Sequence, residues 1–277
     1  MSELRDSYET EVGPNDLDLL ESVVARSGIF SKPYGFDIDL LVQCILGDWT
    51  IKKHNERELI LLASTLAAVG NSSTLYFGCV VCPDYGGYYI NDIWHYKMAE
   101  LGNGISQTAG NVDRFAKVLS PLSNRTKRPV NLSVIFPGWE VMERGELVCG
   151  LSITEARSRL ESTADKTRDQ LSKRGDDYFD SSVTIVDIPD YRDTILSISG
   201  DVNPKIARSI VKQRQKLHGD GYKEQDAITE LAEAAIAFGY LKDVLESHVI
   251  AIATTPVIAL SLLNESPHIQ LNHKYHG

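Results

Sequence analysis

Residues 74–82 read Thr-Leu-Tyr-Phe-Gly-Cys-Val-Val-Cys. Leu75, Phe77, Cys79 and Val81 alternate with Tyr76, Gly78, Val80 and Cys82, and both sets are largely apolar. A strand with one wet face carries polar residues at every second position, whereas one buried on both faces does not. Strands of the second kind belong to parallel sheets covered by helices.

The neighbouring segments fit that expectation. Further apolar strands are predicted over residues 130–136, 183–188, 248–253 and 257–263, with short ones over 194–199 and 268–273. Between them fall stretches of helical period. Residues 56–69 open on Asn55-Glu56-Arg57-Glu58, a capping signature, and stay apolar to Gly70. Residues 154–174 share one face through Ile153, Ala156, Leu160, Ala164 and Leu171, and Gly175 stops them. Asn203-Pro204 starts a helix with Ile206, Ile210 and Leu217 inward and Gly219 at its end, and residues 225–245 form another. Residues 93–101 and 112–119, the latter capped by Asn111, complete the helical expectations of the central part.

Alternating strands and helices predict a three-layer α/β/α domain around a mostly parallel, Rossmann-like sheet. The chain reads as one domain over residues 1–277, with residues 1–14 frayed and residues 15–70 a helical N-terminal part. Within that part, residues 16–25 (Leu17, Leu20, Val24) and 36–46 are helical candidates.

Composition narrows the classes of function. The net charge of −10 disfavours a general duplex-DNA binder, because phosphate neutralisation needs clustered cations. Residues 1–14 carry charges and no apolar core of a signal peptide, and residues 249–263 are broken by Thr254-Thr255-Pro256, so a cytoplasmic chain with no membrane partner is expected. Cys79-Val80-Val81-Cys82 is formally C-x-x-C, but residues three apart in a strand face opposite ways, and no second pair completes a zinc set. No phosphate-loop, dinucleotide, nucleophile-elbow or H-E-x-x-H motif occurs, so no cofactor and no metal are expected.

Ligands of open parallel sheets bind outside the carboxyl ends of the strands. Three predicted exits share one composition there: Pro83-Asp84-Tyr85-Gly86-Gly87, Pro137-Gly138-Trp139-Glu140 and Pro189-Asp190-Tyr191-Arg192. Each sets a carboxylate beside a large aromatic ring. That pairing suits a cationic amine, through charge and cation–π attraction, or a polar ring that stacks. Asp84, Glu140 and Asp190 are the candidate catalytic or positioning carboxylates, and His95 is the candidate general base. Cys82, Tyr85, Gly86, Gly87, Trp139 and Tyr191 are the candidate substrate-binding residues. The same proline, aspartate and glycine residues are also ordinary turn formers. The expected activity is a biosynthetic transferase acting on an amine-bearing or polar small molecule.

Lys205, Arg208, Lys212 and Lys216 fall at offsets that place them along one helix face, and Arg125, Lys127 and Arg128 form a second basic knot. Such a stripe can hold RNA phosphates, or can be a solvated face. In outline, a Rossmann-like domain with a basic helix is similar to the cyclodipeptide synthases. That resemblance implies an aminoacyl-tRNA partner, although the family's serine nucleophile motif has no match here. A third reading is a non-catalytic binding or assembly protein that forms homo-oligomers through its apolar N-terminal helices.

Overall fold

The structure, a computed structural model, describes residues 56–69, 73–81, 84–90, 93–99, 107–138, 151–188, 191–218, 223–252 and 267–271. Among them, α1 (Glu56–Ala68) leads into β1 (Leu75–Val80), followed by β2 (Asp84–Ile90) and β3 (Ile93–Ala99). Then come α2 (Gln107–Thr126), β4 (Val130–Pro137), α3 (Ile153–Ser172), β5 (Phe179–Val186), α4 (Tyr191–Ser199) and α5 (Pro204–His218). The chain closes with α6 (Glu224–Gly239), a π-helical turn (Tyr240–Val244), β6 (Val249–Ile252) and β7 (His268–Gln270). The helical candidates at 16–25 and 36–46 and the strand candidate at 257–263 lie outside the described residues.

Five strands form one all-parallel sheet in the order β5-β4-β1-β6-β7. The alternation in β1 sorts residues between the two faces as expected. Leu75, Phe77, Cys79 and Val81 join α1, α2 and α3 in one core, with Val130, Leu132, Val134 and Phe136 of β4. Val80, Ile135, Ile250 and Ile252 face the other way, against Ala237, Phe238 and Leu241 of α6 and the π turn. The three layers are therefore α1–α2–α3, the sheet, and α6. Outside α6 lies α5, with Ala207 and Ile210 packed on Ala227 and Leu231. Phe77 and Phe115 meet edge to face at 5.8 Å across the first interface, a favoured ring geometry.

Gly78 is needed for close packing of the second face. A Cβ there would lie inside contact distance of Ser247 Oγ, 2.9 Å from Leu241 Cδ2 and 3.0 Å from Ser247 Cβ. The π turn and the chain entering β6 can thus press directly onto the β1 backbone.

Three elements differ from the sequence expectation. Residues 93–101, read as a helix, form β3, paired antiparallel with β2 in a separate two-stranded sheet. Ile93-Trp94-His95-Tyr96 is a β-branched and aromatic run, and Gly86-Gly87 opposes helix, so strand preference prevails locally. Residues 194–199, read as a strand, lie in α4, which begins directly after Pro189-Asp190 and carries Asp193 in its first turn. Asn111 is no cap: α2 starts at Gln107, Asn111 is buried within it, and Pro121 also lies inside. The short strand at 268–273 is present as β7.

Among the described residues no helix is long and apolar enough to cross a membrane.

Gly78→Val retains β-propensity but overfills the β1–π-turn contact, so it is expected to destabilise the chain by about 1–3 kcal/mol in urea unfolding. Gly→Val at the exposed Gly200, where the nearest atom to an added Cβ is 3.8 Å away, is the matched control and should be much milder.

Candidate functional site

Counting only the main sheet, the strands run in chain order β1, β4, β5, β6, β7, so their spatial order is 3-2-1-4-5. The chain builds outward from β1 to the β5 edge, then returns to lay β6 on the opposite side of β1. At such a reversal the connections leave in opposite directions and open a crevice beyond the carboxyl ends. Here it lies beyond Val80 and Ile252.

The β2–β3 hairpin starts four residues after the last residue of β1 and so springs from this crevice side. Its register pairs Asp84 with Ala99, Gly86 with Lys97, Gly87 with Tyr96, Tyr88 with His95 and Tyr89 with Trp94. Alternation along a strand then sets positions 84, 86, 88, 95 and 97 on one face and positions 85, 87, 89, 94, 96 and 98 on the other. Asp84 and His95 share a face but stand four residues apart along it, about 14 Å at strand rise. Asp84 and Tyr85, read as one acid–aromatic loop, alternate between faces instead. Tyr191 is the first residue of α4. Cys82, Trp139, Glu140 and Asp190 lie outside the described residues.

The exits of β4 and β5 meet through Gly138, part of the predicted β4 exit, and through Asp187 and Arg157, which the sequence does not single out. Asp187 follows β5 and Gly138 follows β4. Arg157 on α3 donates through Nη1 to Asp187 Oδ1 at 2.7 Å and Oδ2 at 2.8 Å, and through Nε to Glu161 Oε1 at 2.9 Å. These hydrogen bonds, Asp187 first and Glu161 second, raise the guanidinium pKa above its ordinary value. Nη2 has no partner among the described residues, and the Asp187 side chain is 56% exposed. Ser152 fixes the start of α3 by accepting the Glu155 N–H at 3.2 Å, so Arg157 sits just past a capped helix end at this rim.

Gly138 makes the arrangement possible. A Cβ at 138 would overlap Asp187 Oδ1 and would lie 3.1 Å from Asp187 Cγ and 3.2 Å from Arg157 Nη1. The Asp187 carboxylate therefore lies over the bare backbone at the exit of β4, and Arg157 holds it there. The pair is 30 residues apart in sequence, so no local pattern announces it. Asp187 falls inside the strand predicted over residues 183–188, so its place at a strand exit emerges only from where β5 ends, at Val186.

The two basic features divide. On α5, Lys205, Arg208 and Lys212 are exposed and form no ion pair among the described residues, while Ala207 and Ile210 on the other side are buried. Lys216 lies on the same helix, one turn further on. The knot at 125–128 is not a comparable surface. Arg128 is buried and donates through Nη2 to the carbonyls of Leu66 (3.2 Å) and Val69 (2.7 Å), closing the end of α1. Lys127 has a left-handed φ of 56° and sets its Nζ 5.1 Å over the Tyr178 ring. Both lie at the amino end of β4, away from the crevice.

Cys79 is a buried thiol in the core of β1. Among the described residues no group of three His, Cys, Asp or Glu gathers as a metal ion would need. No known protein family matches the chain, and no curated protein matches its sequence.

Gly138→Ala is expected to cost about 1–3 kcal/mol in chemical unfolding through overlap with Asp187. Combining it with Asp187→Ala should recover most of that loss, because the overlapping carboxylate is gone. Equal stability losses with and without Asp187 would place the strain elsewhere.

Proposed function

We propose that this chain is an enzyme, a biosynthetic transferase acting on an amine-bearing or polar small molecule in a pocket beyond the carboxyl ends of its strands. The observation that carries the reading is the strand order, whose reversal beside β1 is where parallel α/β sheets take ligands. Asp84, Glu140 and Asp190 position or deprotonate the substrate amine or hydroxyl, Trp139 and Tyr191 wall it, and Cys82 supplies the nucleophile. The hairpin register sets Tyr85 on the face opposite Asp84 and His95 about 14 Å along from it, so those two do not act on the atom that Asp84 holds. Gly86 and Gly87 allow close approach of the ligand to backbone. Asp187, held by Arg157, adds a fixed carboxylate to the same rim. A carboxylate pre-oriented in this way attracts an ammonium group without having to be ordered on binding.

A thermal-shift panel of primary amines, amino acids and amino sugars identifies the substrate class. Asp84→Asn, Glu140→Gln and Asp190→Asn should each then lower kcat/KM for a turned-over compound by about 10²-fold or more. Unchanged turnover in all three would sink the assignment.

A second reading is favoured by the exposure of Lys205, Arg208 and Lys212 without ionic partners among the described residues, on a chain of net charge −10. In it the same pocket receives its substrate on a tRNA, whose phosphates lie along α5. Protein purified at low salt then carries RNA, seen as a raised ratio of nucleic-acid to protein absorbance. Changing Lys205, Arg208, Lys212 and Lys216 to Glu should abolish the carry-over. Removing any one phosphate-binding cation should flatten the slope of log K against log salt by about 0.7–0.9. A wild-type chain free of RNA, with no affinity for added tRNA, counts against this reading and leaves the first intact.

A further inference from the structure

At the amino end of the sheet, the entry to β6 is joined to β1 by a side chain acting as backbone. His248 precedes β6, and its N–H donates to the Tyr76 carbonyl at 2.8 Å. The return bond does not go to a carbonyl. The Tyr76 N–H donates to His248 Nδ1 at 3.1 Å, and the two rings lie 5.5 Å apart, tilted by 56°. The imidazole nitrogen thus takes the place of a ladder acceptor at the head of the central strand pair, one residue before Phe77 pairs with Val249.

A backbone amide can only donate, so this bond exists only while Nδ1 carries a lone pair and the ring proton sits on Nε2. Protonation at Nδ1 sets two N–H groups against each other. We infer that the Tyr76–His248 junction is an acid-sensitive latch: uptake of one proton by His248 opens the amino end of the β1–β6 pairing. A backbone carbonyl in the same place would be indifferent to pH.

The surroundings reinforce the neutral form. Burial lowers the His248 pKa below the ordinary 6.5, the Arg128 cation lowers it further, and Glu246 opposes them. The Tyr76 ring packs beside the imidazole. Glu246 has a left-handed φ of 49°, which holds the short link from the π turn in a fixed bend just before His248. Arg128 is itself fixed by the α1 carbonyls of Leu66 and Val69, so it cannot readily swing away from an incoming charge.

The sign follows from linkage. With the folded pKa below the unfolded one, His248 has no effect on stability at pH well above 6.5. As pH falls through that value the unfolded chain takes up the proton first, and stability declines until the folded value is passed. The chain holds six other histidines, so the test isolates this one.

Heteronuclear NMR of the intact chain follows the His248 ring and the Tyr76 amide from about pH 8 to about pH 5. The ring should show neutral Nε2–H at the upper end and a midpoint below 6.5, with the Tyr76 amide shifting on the same curve and losing hydrogen-exchange protection. His248→Gln supplies an acceptor oxygen that does not titrate. Its Tm should fall less than that of the parent over the same range. A His248 midpoint at or above 6.5, or a Tyr76 amide that keeps its protection as the ring protonates, overturns the latch. Parallel Tm curves for parent and variant do the same.

Discussion

Apart from the exposed Tyr76 near its start, β1 has to be dry on both faces. It pairs with β4 along one edge and β6 along the other, and its two faces go to separate hydrophobic cores. The backbone polar groups of such a strand must find partners inside the protein, mostly on neighbouring strands and at Tyr76 on the His248 imidazole. Parallel neighbours cannot follow through tight turns, so each must arrive by a crossover through a helix. The chain meets this by building two crossovers to one side, to β4 and β5, and then returning through α4, α5 and α6 to place β6. The α1–α2–α3 layer, the α6 layer and the reversal of strand order all follow from enclosing that one strand.

Much of this is legible in the sequence because burial on two faces leaves a mark in a short window. The apolar alternation at 74–82, the long periodic face at 154–174 and the Asn203-Pro204 helix start are all local signals, and they mark β1, α3 and α5. The failures are local too. Ile93-Trp94-His95-Tyr96 follows Asn91-Asp92, and an apolar run of this length fits a short helix or a strand equally by period alone. What separates them is cross-strand pairing with Asp84–Ile90, a partner whose glycines read as loop. Asn111 looks like a helix start in isolation. The burial of Ala109 ahead of it shows that tertiary packing extends α2 a full turn further back.

The candidate site is legible only as composition. Strand exits can be counted along a chain, but whether their side chains meet depends on strand order, and strand order is not written in any one segment. The α5 stripe is readable because a helix face is a local object. The Arg157–Asp187 contact is not, since it joins α3 to the end of the following strand. Arg128 shows the converse error: a cation in a basic run reads as surface, yet its planar group of donors is well suited to gathering the last carbonyls of a helix. Its role is structural completion of α1.

The two ends of the sheet use polar residues differently, and that difference bears on where chemistry belongs. At the amino ends, Arg128 Nη2 and His248 Nδ1 bond to backbone groups: the α1 carbonyls and the Tyr76 amide. At the carboxyl ends, Asp187 and Arg157 engage each other, the carboxylate stays largely exposed, and one guanidinium nitrogen keeps its donors unused among the described residues. An exposed pair of this kind contributes only about 0.2–1 kcal/mol to stability. Yet the sequence holds it in place with a glycine at 138 and a capped helix start at Ser152. Polar groups fixed in geometry but unsaturated in bonding can receive a ligand with little reorganisation. Asp187 and Arg157 meet that condition at the crevice end of the sheet.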